Sequence, residues 1–434
     1  MSPGHELHVG ALADIEPRLL QHTERRESHA EYQAKGGYRD LPDSSALLDL
    51  VEAAGLRGRG GAAFPTARKI RAVRERTNGR PVVVANGEEG EPTSVKDRWL
   101  LRNRPHLVLD GVLHAAATVG ADLAHVYVSD PEAERSVTDA IADLPAQPVE
   151  LRVTKVEAGY VAGEESAAVR YVNGGPAKPT EKPPRPFESG VGGRPTLVSN
   201  VETLANLPVL TRLGVDGFRA LGTESATGTF LMTLGGRAAA PGLYELPLGV
   251  PMGAAIEALG GTTDQPTGFL MGGYFGGLLG ERGLDVPLDY DSMAAVGSGL
   301  GCGAVTVLGR HDCPVRVAAE VMAYFARENA GQCGSCFNGT AAMSATLAAL
   351  VAQTAGGDHL AQLRRWSVFL VKRGACGTLD GAAQLAVSLL REFPEAVQAH
   401  LDGSCAGCRE RPGTGVDAPF AVDVPGAAAE LLGS

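Results

Sequence analysis

The sequence predicts an α/β protein: a mainly parallel sheet with covering helices, then a small ubiquitin-like α+β unit, then a helical region. Three observations carry this expectation. Short apolar runs alternate with helix-period stretches from about residue 42 to residue 156, the rhythm that builds parallel βαβ units. Short β-like runs at 229–234 and 268–271 flank one short helical stretch at 251–259. Residues 313–393 are then mostly helical in period, for example 317–327 and 341–353, with apolar positions three and four apart.

In chain order, residues 1–40 are polar and are expected to form a loose arm or a surface helix. The run 81–85 is a buried strand, 106–119 a helix, 123–128 a second strand, 133–141 a helix and 149–156 a third strand. Ligands of such a sheet collect at the carboxyl ends of its strands, here the loops from Asn86 and from Glu157 onward. Residues 176–198 hold many prolines and glycines and read as an irregular loop. After His400 the chain is again rich in Gly and Pro and is expected to be extended.

A chain of 434 residues has room for about three domains. Its net charge of −11 argues against nucleic acid and against an anionic membrane surface, both of which need a basic face. No apolar run is long enough to span a membrane, and the N-terminal residues show no signal-peptide pattern. A cytoplasmic protein without membrane insertion is therefore expected. In that compartment seven cysteines point to metal ligands or buried thiols rather than to disulfides.

Residues 55–69, GLRGRGGAAFPTARK, put four glycines, three arginines and Lys69 around the apolar pair Phe64-Pro65. So few side chains let backbone N–H groups press onto a phosphate, with the next helix adding its positive end. Directly after the first strand, Asn86 opens a loop that crowds Glu88, Glu89 and Glu91 together. Like charges so close raise one another's pKa unless they bind something, and ribityl or ribose hydroxyls are natural partners for them. Residues 157–166 pair glycine with Glu164 and Glu165 at another strand end, and 199–203 offer an amide and a hydroxyl at a helix start. Each motif alone also fits a solvated loop. Cys333 and Cys336 form a C-x2-C pair with Cys376 forty residues on, and Cys405 and Cys408 form a second pair in the tail. Cys302 and Cys313 carry no motif and read as buried small residues.

In this order the motifs resemble the NADH-oxidising flavoprotein subunit of respiratory complex I and its relatives in NAD-linked hydrogenases and formate dehydrogenases. The resemblance runs from about Gly55 to Cys376. It implies an N-terminal arm (1–40), a Rossmann-like FMN/NAD(P)H domain (41–226), a ubiquitin-like SLBB-type domain (227–300), a helical iron–sulfur domain (313–400) and a tail (401–434). It further implies an FMN phosphate held by Gly58, Arg59, Gly60 and Gly61 with Lys69, Asn200 and Thr203. Asn86, Glu88, Glu89, Tyr160, Gly163, Glu164 and Glu165 would line the rest of the flavin. Phe64, Glu91 and Lys182 match positions that meet NADH, Phe64 and Glu91 being the pair that orients the nicotinamide. Cys333, Cys336 and Cys376 match three ligands of a 4Fe-4S cluster.

The implied activity is an NADH dehydrogenase: FMN takes the hydride, and electrons leave toward an iron–sulfur partner subunit, a quinone oxidoreductase complex or a ferredoxin. Three departures bear on it. The first ligand position of the cluster is Ala330, and alanine cannot ligate iron. This leaves open a three-iron cluster, a fourth ligand from Cys405 or Cys408, a four-cysteine zinc site from the two C-x2-C pairs, or no metal. Two positions that carry stacking Phe residues in the family are Ala72 and Arg185. Arg185 is either a solvated loop residue or a partner for a 2′-phosphate, which would favour NADP. These departures support two rival readings, a divergent FMN-binding scaffold and a ferredoxin-fed NAD(P) reductase.

Overall fold

The computed structural model describes residues 7–21, 25–39, 43–410 and 417–422. Its polar N-terminal stretch is not the loose arm that composition suggested. Strand β1 (His8–Ala11) pairs in parallel with the strand Gly242–Pro247, and Leu19, Leu20 and Tyr32 are buried. One residue explains the attachment. The buried Glu245 carboxylate accepts the N–H groups of Arg18, Leu19 and Leu20 at 2.9, 2.8 and 3.0 Å.

Strands β2 (Val82–Asn86), β3 (Leu123–Val128), β4 (Glu150–Lys155) and β5 (Thr196–Asn200) form an all-parallel sheet in the order β4-β3-β2-β5. The first three coincide with the expected runs. β5 starts inside the stretch read as irregular, because the Pro/Gly content of the preceding loop hides the short apolar run. β2 is apolar throughout because both its faces are covered. Val83 and Ala85 pack in the core that includes the helices Pro105–Val119 and Val201–Arg219, while Val82 and Val84 pack with Tyr127 and Ala168. Each fully buried valine there contributes roughly 1.5–3 kcal/mol, so Val83→Asp would break this sheet at its centre.

The second sheet is mixed. Strands β6 (Thr229–Gly236), β7 (Gly242–Pro247), β8 (Pro266–Met271), β9 (Leu278–Gly280) and β10 (Ala304–Gly309) join β1 in the order β1-β7-β6-β10-β8-β9. The helix Met252–Ala258 lays Met252, Ala255 and Ile256 on its core. The unit expected to close at 300 therefore runs to 309, because β10 pairs with both β6 and β8.

Beyond it, the helices Pro314–Glu328, Gly334–Val351, Thr378–Glu392 and Pro394–Leu401 share one apolar core. The tail is more than extended chain: Ala406–Glu410 is a helical turn, and Val422 is buried with its N–H on Pro92 O at 2.9 Å. Among the described residues no helix is long and apolar enough to cross a membrane.

Candidate functional site

The motifs meet at the carboxyl ends of the parallel strands. Asn86 and Asn200 are register partners at the ends of β2 and β5. Beside them the glycine loop is pinched shut at its base, where Gly58 N–H meets Phe64 O and Thr66 N–H meets Leu56 O, both at 2.9 Å. The loop lies on the N-terminus of the helix Val201–Arg219. Arg59 N–H donates to Thr203 Oγ1 at 2.8 Å, and a Cβ on Gly60 would sit 3.0 Å from Cβ of Asn200, the residue that caps that helix. Gly61 adopts φ +105°, a conformation closed to residues with side chains.

Among the described residues, the N–H groups of Gly60, Gly61 and Ala62 have no protein acceptor, and the buried Arg59 guanidinium forms no ion pair. It donates to the carbonyls of Arg57 and Thr227 and to the Tyr290 hydroxyl, and its Nε has no partner. Free amides, a helix N-terminus and an uncompensated buried cation make an anion cradle. The donor set fits a phosphate group. Lys69 stands at the edge of this cradle, where its Nζ is 3.2 Å from Glu165.

The three crowded carboxylates diverge to different partners. Buried Glu88 accepts from Gly159 N–H at 3.0 Å and Ser129 Oγ at 3.1 Å, and burial pushes its pKa up to about 7. Glu91 is likewise pushed by burial to about 7 while it accepts Tyr274 N–H at 3.0 Å and Thr93 Oγ1 at 3.2 Å. Glu89 instead caps the helix Lys96–Asn103, accepting the N–H groups of Asp97 and Arg98 at 3.2 and 3.1 Å. Burial, more than mutual repulsion, raises Glu88 and Glu91, which corrects the cause inferred from their crowding.

Beneath them lies an ion network that no motif announced. Lys96 is 1 % exposed, and its Nζ lies 2.7 Å from Asp97, 3.0 Å from Glu202 and 3.3 Å from Asn200 Oδ1. Burial works against this ammonium, but Asp97, Glu202 and Glu89 outweigh it and hold its pKa above the usual lysine value. Asn200 also donates to Asp97 at 2.7 Å, so the network fixes the amide that borders the anion cradle.

Around the rim, Asn86 donates to Gly163 O at 2.7 Å, and a Cβ on Gly163 would approach Glu88 O to 3.0 Å. Glu164 caps the helix Glu165–Val172 through the N–H groups of Ser166 and Ala167 and pairs with Lys182. Tyr160 packs edge-on against Tyr324 and Phe325 of the helical region, with ring centroids 5.6 and 5.4 Å away. Phe64 is 49 % exposed, with the Arg68 guanidinium over its ring. Arg185 is an exposed loop residue whose N–H binds Glu188 at 2.9 Å, and Ala72 is partly buried on the helix Thr66–Arg74. Cys302 belongs near the site as well: a Cβ on Gly61 would lie 3.9 Å from its nitrogen, and burial together with Glu91 pushes its thiol up to about 12.

The cysteines divide into two groups. Cys333 precedes the helix Gly334–Val351, Cys336 is buried in its first turn, and Ala375 N–H reaches Cys333 Sγ at 3.4 Å, bringing the neighbour of Cys376 alongside. Burial, and after it Cys376 and Cys333, push the Cys336 thiol up to about 11. These residues supply three thiolates to an iron–sulfur cluster. At the fourth position the chain presents only the Ala330 methyl, the carbonyl of that residue accepting from Lys178 at 2.9 Å. Cys405 and Cys408 do not complete this set. They converge with Cys313 and His400, so Cys313 is not the isolated buried thiol that its lack of a motif suggested.

Comparison with known proteins matches the same regions. Residues 51–209 match the family described as the Nuo51 FMN-binding domain, and residues 316–400 the NADH-ubiquinone oxidoreductase-F iron-sulfur binding region. The second F-type subunit of the NADH-quinone oxidoreductase of Rhizobium meliloti (strain 1021) is 31% identical over 415 residues, which cover 89% of this chain and 98% of that protein. The HndC subunit of the NADP-reducing hydrogenase of Solidesulfovibrio fructosivorans is 31% identical over 398 residues, 87% of this chain and 81% of that one. A chain of the NAD+-reducing NiFe-hydrogenase, solved in its H2-reduced state, superposes with a TM-score of 0.78 at 31% identity and covers 92% of this chain and 72% of that one.

Proposed function

The chain belongs to the F-type flavoprotein family of NADH-quinone oxidoreductase, and on that premise we propose that it is an FMN-dependent NADH dehydrogenase, the electron-input subunit of a redox complex. The observation that carries this reading is the cradle of unpaired N–H groups and buried Arg59 at the strand ends, flanked by Asn200 and Thr203. When bound, FMN supplies a centre that accepts a hydride and releases its electrons one at a time.

The protein's own part is binding and orientation. Gly58, Arg59, Gly60 and Gly61 hold the phosphate with Asn200 and Thr203, and Lys69 balances charge at the rim. Asn86, Glu88 and Gly163, fastened to one another by hydrogen bonds and close packing, shape the ribityl and ring side. Glu89 acts through the helix it caps, and Tyr160 closes the pocket toward the helical region. Glu164 and Glu165 position Lys182 for the dinucleotide. Phe64 and Glu91 orient the nicotinamide over the flavin ring. No side-chain acid or base is required, because hydride moves directly between the two cofactors. Cys333, Cys336 and Cys376 would hold a cluster at the exit, and electrons pass to an iron–sulfur partner subunit or a ferredoxin. The place of action is the cytoplasm.

Anaerobic absorption spectra of the purified protein before and after NADH, and separately NADPH, test this. Bleaching of the flavin bands by NADH is expected. Bands that stay oxidised with both nucleotides would refute a dehydrogenase and favour the scaffold or the ferredoxin-fed reading. Bleaching by NADPH alone would give Arg185 a role in nucleotide choice.

A further inference from the structure

The second cysteine group lies outside everything the flavin site uses. Cys313 precedes the helix Pro314–Glu328, His400 is on the helix Pro394–Leu401, and Cys405 and Cys408 bracket the start of the tail turn Ala406–Glu410. Their four ligand atoms all lie within 4.8 Å of one another. His400 and Cys408 are buried, at 1 % and 0 % exposure. We propose that Cys313, His400, Cys405 and Cys408 form a structural zinc site that clasps the C-terminal segment to the helical region.

Three features point to a single tetrahedral ion. The first is spacing. Bonds of about 2.3 Å to sulfur and about 2.05 Å to imidazole nitrogen put the two ligand atoms about 3.6 Å apart in a tetrahedron, and Cys313 Sγ lies 3.5 Å from His400 Nε2. A cubane cluster spreads its ligand sulfurs over four separate irons and needs a wider set. The second is the histidine tautomer. His400 Nδ1 is 2.7 Å from the Ala396 carbonyl, which can only accept, so Nδ1 carries the proton and Nε2 offers its lone pair to the cysteines. An imidazole fixed in this way by a carbonyl is the usual arrangement of a metal-bound histidine.

The third feature is stabilisation of thiolates. The N–H groups of Arg316 and Val315 face Cys313, and the N–H of Cys408 faces Cys405. Arg316 also donates to Gly407 O at 3.5 Å. Three thiols lose their protons to the solvent as the ion binds, so the filled site carries one negative charge, and Arg316 is the cation beside it. With four protein ligands no position is open for substrate, which makes the site structural rather than catalytic.

The consequence reaches the flavin side. Beyond the clasp, Val422 binds Pro92 O, Tyr274 Oη donates to Pro419 O at 2.5 Å, and Arg98 donates to Val422 O at 3.1 Å. Pro92 and Arg98 flank the loop that bears Glu89 and Glu91, so the ion anchors a segment that braces that loop.

The test is metal analysis of the full-length protein purified without an affinity tag, with zinc, iron and acid-labile sulfide counted per chain and zinc absorption fine structure recorded. One zinc bound by three sulfurs and one nitrogen is expected. Cys405→Ser and Cys408→Ser should lose the zinc while iron and flavin stay, and Cys333→Ser should do the reverse. His400→Cys should keep zinc with a fourth sulfur, a readout that requires no loss of folding. Wild-type protein that holds no zinc after growth and dialysis with added Zn2+ would overturn the proposal. So would tail variants that lose iron, since these cysteines would then serve a cluster.

Discussion

Glu88 shows how one buried side chain sets a cost that its ligand must offset. Its folded pKa is about 7, against 4.5 for the free group, and burial is the chief cause. Below pH 4.5 the group is protonated in both folded and unfolded chains, and its contribution to stability is whole. That contribution is lost as pH rises through 7, by about 3 kcal/mol at most. In flavin-free protein, Glu88→Gln should therefore unfold at higher denaturant than wild type at pH 8 and nearly with it at pH 4.5. A difference that does not change with pH would show that the carboxyl is not the source.

At this scale the sequence was legible wherever chemistry was local, as in the glycines of 58–61 or the caps Asn200 and Glu164. It was silent where partners are remote. Cys313 and His400 are 87 positions apart, and no spacing rule joins them. Nor does any rule predict that Lys96 would turn inward onto Glu202 rather than outward to water.

Among the elements, the glycine loop and the helix it rests on act as one unit. The amides of Gly60, Gly61 and Ala62 converge only because Gly61 sits at φ +105°. Alanine meets no crowding there, since its Cβ would have 3.7 Å to Gly301, so the penalty is conformational, about 1–2 kcal/mol. Gly61→Ala should weaken FMN binding about tenfold and leave iron and zinc content unchanged, as measured by quenching of FMN fluorescence on titration. An unchanged Kd would mean that these amides do not hold the phosphate. Elements of strong period were read correctly, whereas β5 and β10 were not. β5 is five residues long behind a Pro/Gly loop, and β10 follows a glycine-rich turn. Each is specified by the strands beside it more than by its own pattern.

For the molecule as a whole, Glu91 is where the separate parts meet. It stands on the flavin-domain loop, yet its carboxylate is held by the backbone of Tyr274 in the second domain. Tyr274 packs edge-on against Tyr324 of the helical region at 5.1 Å, and its hydroxyl holds the tail. The approach depends on Gly273, where a Cβ would fall 2.2 Å from the Glu91 carboxyl carbon and φ is +76°. Gly273→Ala should thus cost about 1–3 kcal/mol and slow NADH-driven flavin reduction at least tenfold, because Glu91 is displaced from the nicotinamide we propose it orients. FMN affinity should hold, since the phosphate cradle is untouched. A double-mutant cycle separates the steric part from the backbone part. With Glu91→Ala in place, the extra loss from Gly273→Ala should shrink to the strain of a positive φ alone. Additive losses would place the clash elsewhere and leave Glu91 without this link between the domains.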